Sequence, residues 1–194
     1  HFAAESLSEA KDIALELRKW GNVKIILDNS TEEGVTEIVW NNNFDLKIEL
    51  IEAASTLNNF ITTNSNTHQD NKKSLTSSLV PLKVTALCSP IVLEKMTTLM
   101  NNIPGVNDPH DSFWKGDPIE NLFNLDVDET TLSQTQLGGR PYVSQAMLSK
   151  EDKKVFHQGL NRLRLLCQEA EKKGVVILLD AEQSNRQPAI ELMA

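Results

Sequence analysis

Three short apolar runs constrain this chain most. Val23, Lys24, Ile25, Ile26 and Leu27 end at Asp28, Leu82 to Leu87 follow Pro81, and Val175, Val176, Ile177, Leu178 and Leu179 end at Asp180. The first and third lack the polar alternation of a half-exposed strand and read as strands buried on both faces, the pattern of a parallel sheet. The second, Leu-Lys-Val-Thr-Ala-Leu, is a strand candidate interrupted by a charge. Parallel strands need long crossovers, and the intervening segments have helical spacing. Ala10, Ile13, Ala14, Leu17 and Trp20 share one side of a helix over 8–20, with Ser8 as its N-cap. Leu46, Leu50, Ala53, Ala54, Leu57 and Ile61 predict another over 45–61, and Pro90 opens a third through Ile91, Leu93, Met96, Leu99 and Met100. Ser149 and Asp152 form a capping box for a fourth, which closes at Lys172, Lys173 and Gly174.

Two tracts interrupt this order. Residues 62–78 are rich in Asn, Ser and Thr and predict a flexible surface insertion. Residues 101–148 lose periodicity among Pro104, Gly105, Pro109, Pro118, Gly138, Gly139 and Pro141, and predict a second, elaborated insertion such as a lid. The whole, 1–194, reads as one right-handed parallel α/β unit, either doubly wound or a barrel. Ligands in such sheets sit at the carboxyl ends of the strands, so Asp28, the residues after Leu87 and Asp180 should share one edge.

Composition narrows the function. With 19 basic against 27 acidic residues and a formal charge of −8, the chain lacks the basic footprint of a nucleic-acid binder. No apolar run approaches the length of a membrane span. Cys88 and Cys167 lie outside any metal or redox spacing, and His68, His110 and His157 share no ligand spacing, so no metal is expected. There is no Gly-x-Gly-x-x-Gly after a strand, no phosphate loop and no Gly-x-Ser-x-Gly elbow. Lys83 then has two readings: a solvent-facing edge lysine, or a charge inside a strand bundle that requires a carboxylate or anionic ligand. Asp180 and Glu182, after the third run, are either turn formers or site carboxylates. A doubly wound domain binding a divalent ion near Asp28 and Asp180 is a further alternative.

Two stretches carry a resemblance. Lys83-Val84-Thr85-Ala86-Leu87 and, above all, the run from Leu179-Asp180-Ala181-Glu182-Gln183 through Ser184-Asn185-Arg186-Gln187-Pro188-Ala189-Ile190 are similar to the second and third barrel strands of the proline dehydrogenase family. His1 to Glu5 resembles the segment ahead of the first strand, and Leu27-Asp28 through Glu32 and Glu33 the turn after it, although Asn29, Ser30 and Thr31 stand where a glycine is common. The resemblance implies a FAD-dependent (β/α)8 barrel that oxidises L-proline, or 4-hydroxyproline in a close relative, and passes electrons to a quinone at a membrane, in eukaryotes in the mitochondrion. It implies that Lys83 binds the substrate carboxylate, that Asp180 is the catalytic-site acid near flavin and substrate, and that Glu32 corresponds to an acid pairing with an arginine from late in the barrel. It assigns no FAD-binding residue in this stretch. A complete barrel takes about 250 residues. The expectation is therefore a partial (β/α)8 TIM-like barrel, about the first three strands with their helices and large insertions, inactive alone; the alternative is a truncated barrel acting as a binding module.

Overall fold

A computed structural model describes residues 6–19, 25–28, 33–64, 78–102, 117–123 and 148–194. In chain order the elements are α1 (Leu7–Lys19), α2 (Glu37–Asn64), β1 (Leu79–Leu82), a 3₁₀ turn (Val84–Ala86), α3 (Pro90–Asn102), α4 (Pro118–Phe123), α5 (Lys150–Lys173), β2 (Val176–Leu179) and α6 (Gln187–Met193). The described residues are mostly helical, around a small parallel sheet.

The sheet pairs β1 with β2 in register from Leu79↔Val176 to Leu82↔Leu179. Ile26 forms a parallel bridge to Leu79 on the opposite side of β1. Leu79 donates its N–H to Ile25 O at 2.8 Å, and Leu27 donates to Leu79 O at 2.9 Å. The first and third runs therefore flank β1 in one parallel ladder, in sequence order, and the second run contributes only Leu82 to it. A parallel ladder alternates sides along a strand, so the next rung toward the first run falls on Pro81, which has no N–H to donate.

The second strand lies three residues upstream of its predicted place. It ends at Leu82, and Val84–Ala86 coil into a 3₁₀ turn whose three residues are fully buried. Pro81 sits inside the strand, where its missing N–H falls on the side of the first run rather than on the side paired with β2. Other boundaries also move. α1 is capped by Ser6, whose Oγ accepts from Glu9 N at 3.2 Å, rather than by Ser8. α2 begins at Glu37, with Thr36 Oγ1 accepting from Val39 N. Its early turns bury Trp40, Asn43 and Lys47 on the same side as Ile51, Ala54 and Leu57, and the two polar members hide the stripe from a hydropathy pattern.

α2 also continues to Asn64, so the tract predicted over 62–78 begins with helix and ends with a buried Ser78. Residues 65–77 lie outside the described residues. Within 101–148, α3 runs to Asn102, and Pro118 opens α4 rather than breaking structure. Asp117 Oδ1 accepts from Ile119 N and Glu120 N, which delivers Ile119 and Phe123 to the core. The remainder of that tract, 103–116 and 124–147, lies outside the described residues, as do Trp20, Val23, Lys24 and Glu32. The capping box of α5 forms as its sequence predicts, and Gly174 closes the helix at φ 64, a left-handed conformation that favours glycine.

Helices cover one face of the sheet. Val80 and Leu82 lie in the main core with Ile51, Leu87, Leu93, Met96, Phe156, Leu163 and Leu166, and Leu27 and Ile177 pack against it. On β1 burial alternates with parity, whereas β2 is exposed on both sides, with Val176 38%, Leu178 36% and Leu179 38% exposed; Ile26, beside β1, is 58% exposed. Helices packed on a small parallel sheet in this way are compatible with a partial α/β unit.

Candidate functional site

Strand ends and helix starts meet along one edge. Lys83 follows β1 directly, in extended conformation (φ −88°, ψ 126°), and is exposed. It therefore stands beyond the strand rather than within it. Asp180 follows β2, is half-buried, and donates its N–H to Leu82 O at 3.0 Å, which extends the ladder by one rung. Since Leu82 and Leu179 are register partners, Lys83 and Asp180 are neighbours across the end of the sheet. By strand alternation both belong to the open face, the side of Pro81 and Leu178. Asp28, at the end of the first run, accepts from Lys47 Nζ at 3.2 Å. The lysine comes from the buried stripe of α2.

The 3₁₀ turn after β1 is held from three directions. Gly34 N donates to Thr85 O at 3.0 Å, Asn43 Nδ2 to Ala86 O at 3.0 Å, and Arg162 Nη1 to Leu87 O at 3.2 Å. Arg162 is buried on α5 and also donates to Asn41 Oδ1 at 2.9 and 2.7 Å. Gly34 has no alternative: a Cβ there would stand 2.2 Å from Trp40 Cδ1, whose indole N–H donates to Gly34 O at 2.8 Å. Glu182 supplies a fourth tie, accepting from Thr85 N through Oε1 at 3.1 Å, while its own N–H donates to Gln187 Oε1 at 2.9 Å. The Thr85 hydroxyl is buried and has no hydrogen-bond partner among the described residues.

Arg186 is the residue that sequence reasoning passed over. It is 9% exposed at the start of α6, where its Nε donates to Glu94 Oε1 of α3 at 2.8 Å and its Nη1 to Glu33 Oε1. Burial alone pulls its pKa down, but the two carboxylates outweigh that and hold the guanidinium's pKa above its ordinary range. Glu33 adjoins Glu32, which the family resemblance singles out for pairing with a later arginine; Glu32 itself lies outside the described residues. The sequence signal for Arg186 was its place in the Asp180 to Ile190 run, but no spacing rule links it to Glu33 or Glu94, 153 and 92 residues away.

The edge thus combines a cation, Lys83, beside an acid, Asp180, with an apolar sheet face below and a rim of carboxylates tied to buried cations. Among the described residues, no three His, Cys, Asp or Glu side chains gather as a metal site, and no helix is long and apolar enough to cross a membrane.

The chain is 35% identical over 120 residues to a protein named Proline dehydrogenase 1, mitochondrial, from Dictyostelium discoideum. The match takes in 61% of this chain and 19% of that protein, so the chain spans about a fifth of the length of the curated relative it matches. No protein-family model matches the chain. No solved structure matches it significantly.

Proposed function

We propose that the protein carrying this chain is a flavin-dependent proline dehydrogenase, which oxidises L-proline to 1-pyrroline-5-carboxylate with FAD, passes the electrons to a quinone at a membrane, and resides in the mitochondrion. The observation that carries this is the 35% identity over 120 residues to a protein of that name. Under this proposal the 194 residues are the amino-terminal part of a larger barrel.

The strand-end edge supports it chemically. Lys83 pairs with the substrate carboxylate as a point charge, and Asp180, its neighbour across the ladder, orients the substrate ring from the adjoining strand. Glu32 acts from the turn after the first run. In the proposed barrel the face carrying Ile26, Val176 and Leu178 would turn inward, and Lys83 and Asp180, at the carboxyl ends of the strands, are the residues here that would stand nearest to FAD. When bound, FAD supplies the electron sink for hydride removal. The chain's own residues bind, orient and set the local charge.

Purified full-length protein should show a flavin spectrum and reduce a quinone or dye with proline. Lys83→Ala should raise the KM for proline about tenfold or more with FAD content unchanged, the loss of a charge-assisted contact. A flavin-free, inactive full-length protein would overturn the proposal, and unchanged kinetics in Lys83→Ala would overturn the role of Lys83. Preference for 4-hydroxyproline in the same assay would move the protein to the neighbouring activity. The exposed apolar sheet face favours one other reading, a non-enzymatic binding module; obligate association without flavin or turnover would support it.

A further inference from the structure

Three segments that end strands or follow them converge on one guanidinium. Glu33 belongs to the turn after the first run, Glu94 to α3 just after the 3₁₀ turn of β1, and Arg186 to the turn after β2. The turn after β2 is also fastened to the segment after β1 through Glu182 and the backbone N–H of Thr85, and α6, which follows it, is tied to α3 where Ala189 N donates to Thr97 Oγ1 at 3.2 Å. Asp180 and Lys83 lie between these fastenings and the ladder.

We propose that Arg186 is a positioning residue for the candidate site: by clamping Glu33, which follows the first run, and Glu94 of α3 onto the turn after β2, it joins these segments into one rim and so sets where Asp180 and Lys83 stand. The physical basis is the placement of the charge. The guanidinium is nearly buried while its partners are 48% and 37% exposed, so the arginine cannot exchange its carboxylates for water without leaving its pocket. Its planar fork fixes direction as well as distance, which a lysine ammonium would not do. The pairs also join segments far apart in sequence, a turn, α3 and the residues after the first run, so their effect falls on the relative placement of the strand ends rather than on any single helix.

This rests on the proposed dehydrogenase activity only for its kinetic arm. The test uses the full-length protein and the variants Arg186→Gln, Arg186→Lys, Glu33→Gln and Glu94→Gln, read by hydrogen exchange and by proline-dependent dye reduction. In Arg186→Gln the amide of Thr85 should exchange about tenfold faster, the loss of roughly one charge-assisted contact, while peptides of α5 keep their protection. The KM for proline should rise with kcat within about twofold, and Arg186→Lys should recover part of both effects. Glu33→Gln should add little on top of Arg186→Gln, because the two act as one unit.

Unchanged exchange at Thr85 in Arg186→Gln would overturn the proposal, as would loosening of α5 to the same degree, which would mark a general stabiliser. If Arg186→Gln fails to fold, Glu33→Gln and Glu94→Gln must each loosen the Thr85 amide with α5 intact, and their failure to do so overturns it equally. An unmodified protein inert toward proline, with the exchange changes still present, would remove the dehydrogenase assignment and leave Arg186 in its role.

Discussion

Lys47 and Asp28 share an ion pair of 3.2 Å in which the lysine side chain is 3% exposed and the aspartate 47%. The asymmetry decides what each partner costs when removed. Asp28→Ala leaves a buried ammonium with its charged partner gone, which should destabilise by about 1 to 3 kcal/mol after allowance for water at the exposed carboxylate. Lys47→Met removes the charge and keeps the volume, so it should cost less than about 1 kcal/mol. Urea denaturation of both variants checks the ordering, and a larger loss in Lys47→Met would contradict it.

Gly159 on α5 packs against Cys88. A Cβ there would lie 2.6 Å from Cys88 Cβ and 2.8 Å from Sγ. Gly159→Ala gains about 1 kcal/mol of helix propensity but overpacks a closed site at a cost of about 1 to 3 kcal/mol, so the sum should be destabilising. Adding Cys88→Gly removes both close atoms and should recover most of the loss. Thermal melts of the single and double variants test this, and a stabilised Gly159→Ala would show that α5 and the bend at Cys88 separate freely.

Asp152 closes the capping box of α5, with its Oδ2 accepting from Ser149 N at 2.9 Å, and pairs with Lys95 of α3 at 2.8 Å. Partial burial pushes its pKa up, but the bonds from Lys95 and Ser149 outweigh that and hold the carboxyl below its ordinary 3.8. A carboxyl depressed in the folded state stabilises above its unfolded pKa, and that contribution fades as pH falls through the folded value. Asp152→Asn should therefore cost about 1 kcal/mol near neutrality and flatten the loss of stability below about pH 4. Equal acid sensitivity in the two proteins would refute this.

The two thiols should separate chemically. Burial pushes Cys88 up to about 12, with Ser89 and Arg162 pulling weakly the other way, so almost no thiolate exists near neutrality. Cys167 is exposed, although partial desolvation raises it as well. Alkylation at pH 8 should modify Cys167 in the native protein and Cys88 only on unfolding, as peptide mass spectrometry would report. Comparable native labelling of Cys88 would mean that the contact with α5 opens on the labelling timescale.

Much of the fold is legible in residue order because its signals are local. The capping box of Ser149 and Asp152, the glycine stop at 174 and the apolar run ending at Asp180 each need only a few neighbouring residues to be read. Where non-local pairing governs, the pattern misleads. Leu82 to Leu87 reads as a strand, but the ladder takes Leu79–Leu82 and tolerates Pro81 because its missing N–H falls on the side of the first run, not on that of β2. Asn43 and Lys47 read as surface, yet Ala86 O and Asp28 satisfy them inside. α4 was invisible because six residues carry too little periodicity to register, and its place comes from Ile119 and Phe123 reaching the core.

By itself the sequence determined that this chain makes parallel strands separated by helices and that Asp28 and Asp180 end two of the apolar runs, since short apolar runs and the polar residues that end them are properties of the covalent chain. Only the tertiary structure decided which charges answer one another there. Glu182 reaches the Thr85 amide 97 residues away and Arg186 reaches Glu33 across 153, and no local pattern records such pairings, because they follow from the packing of helices that bring the strand ends together.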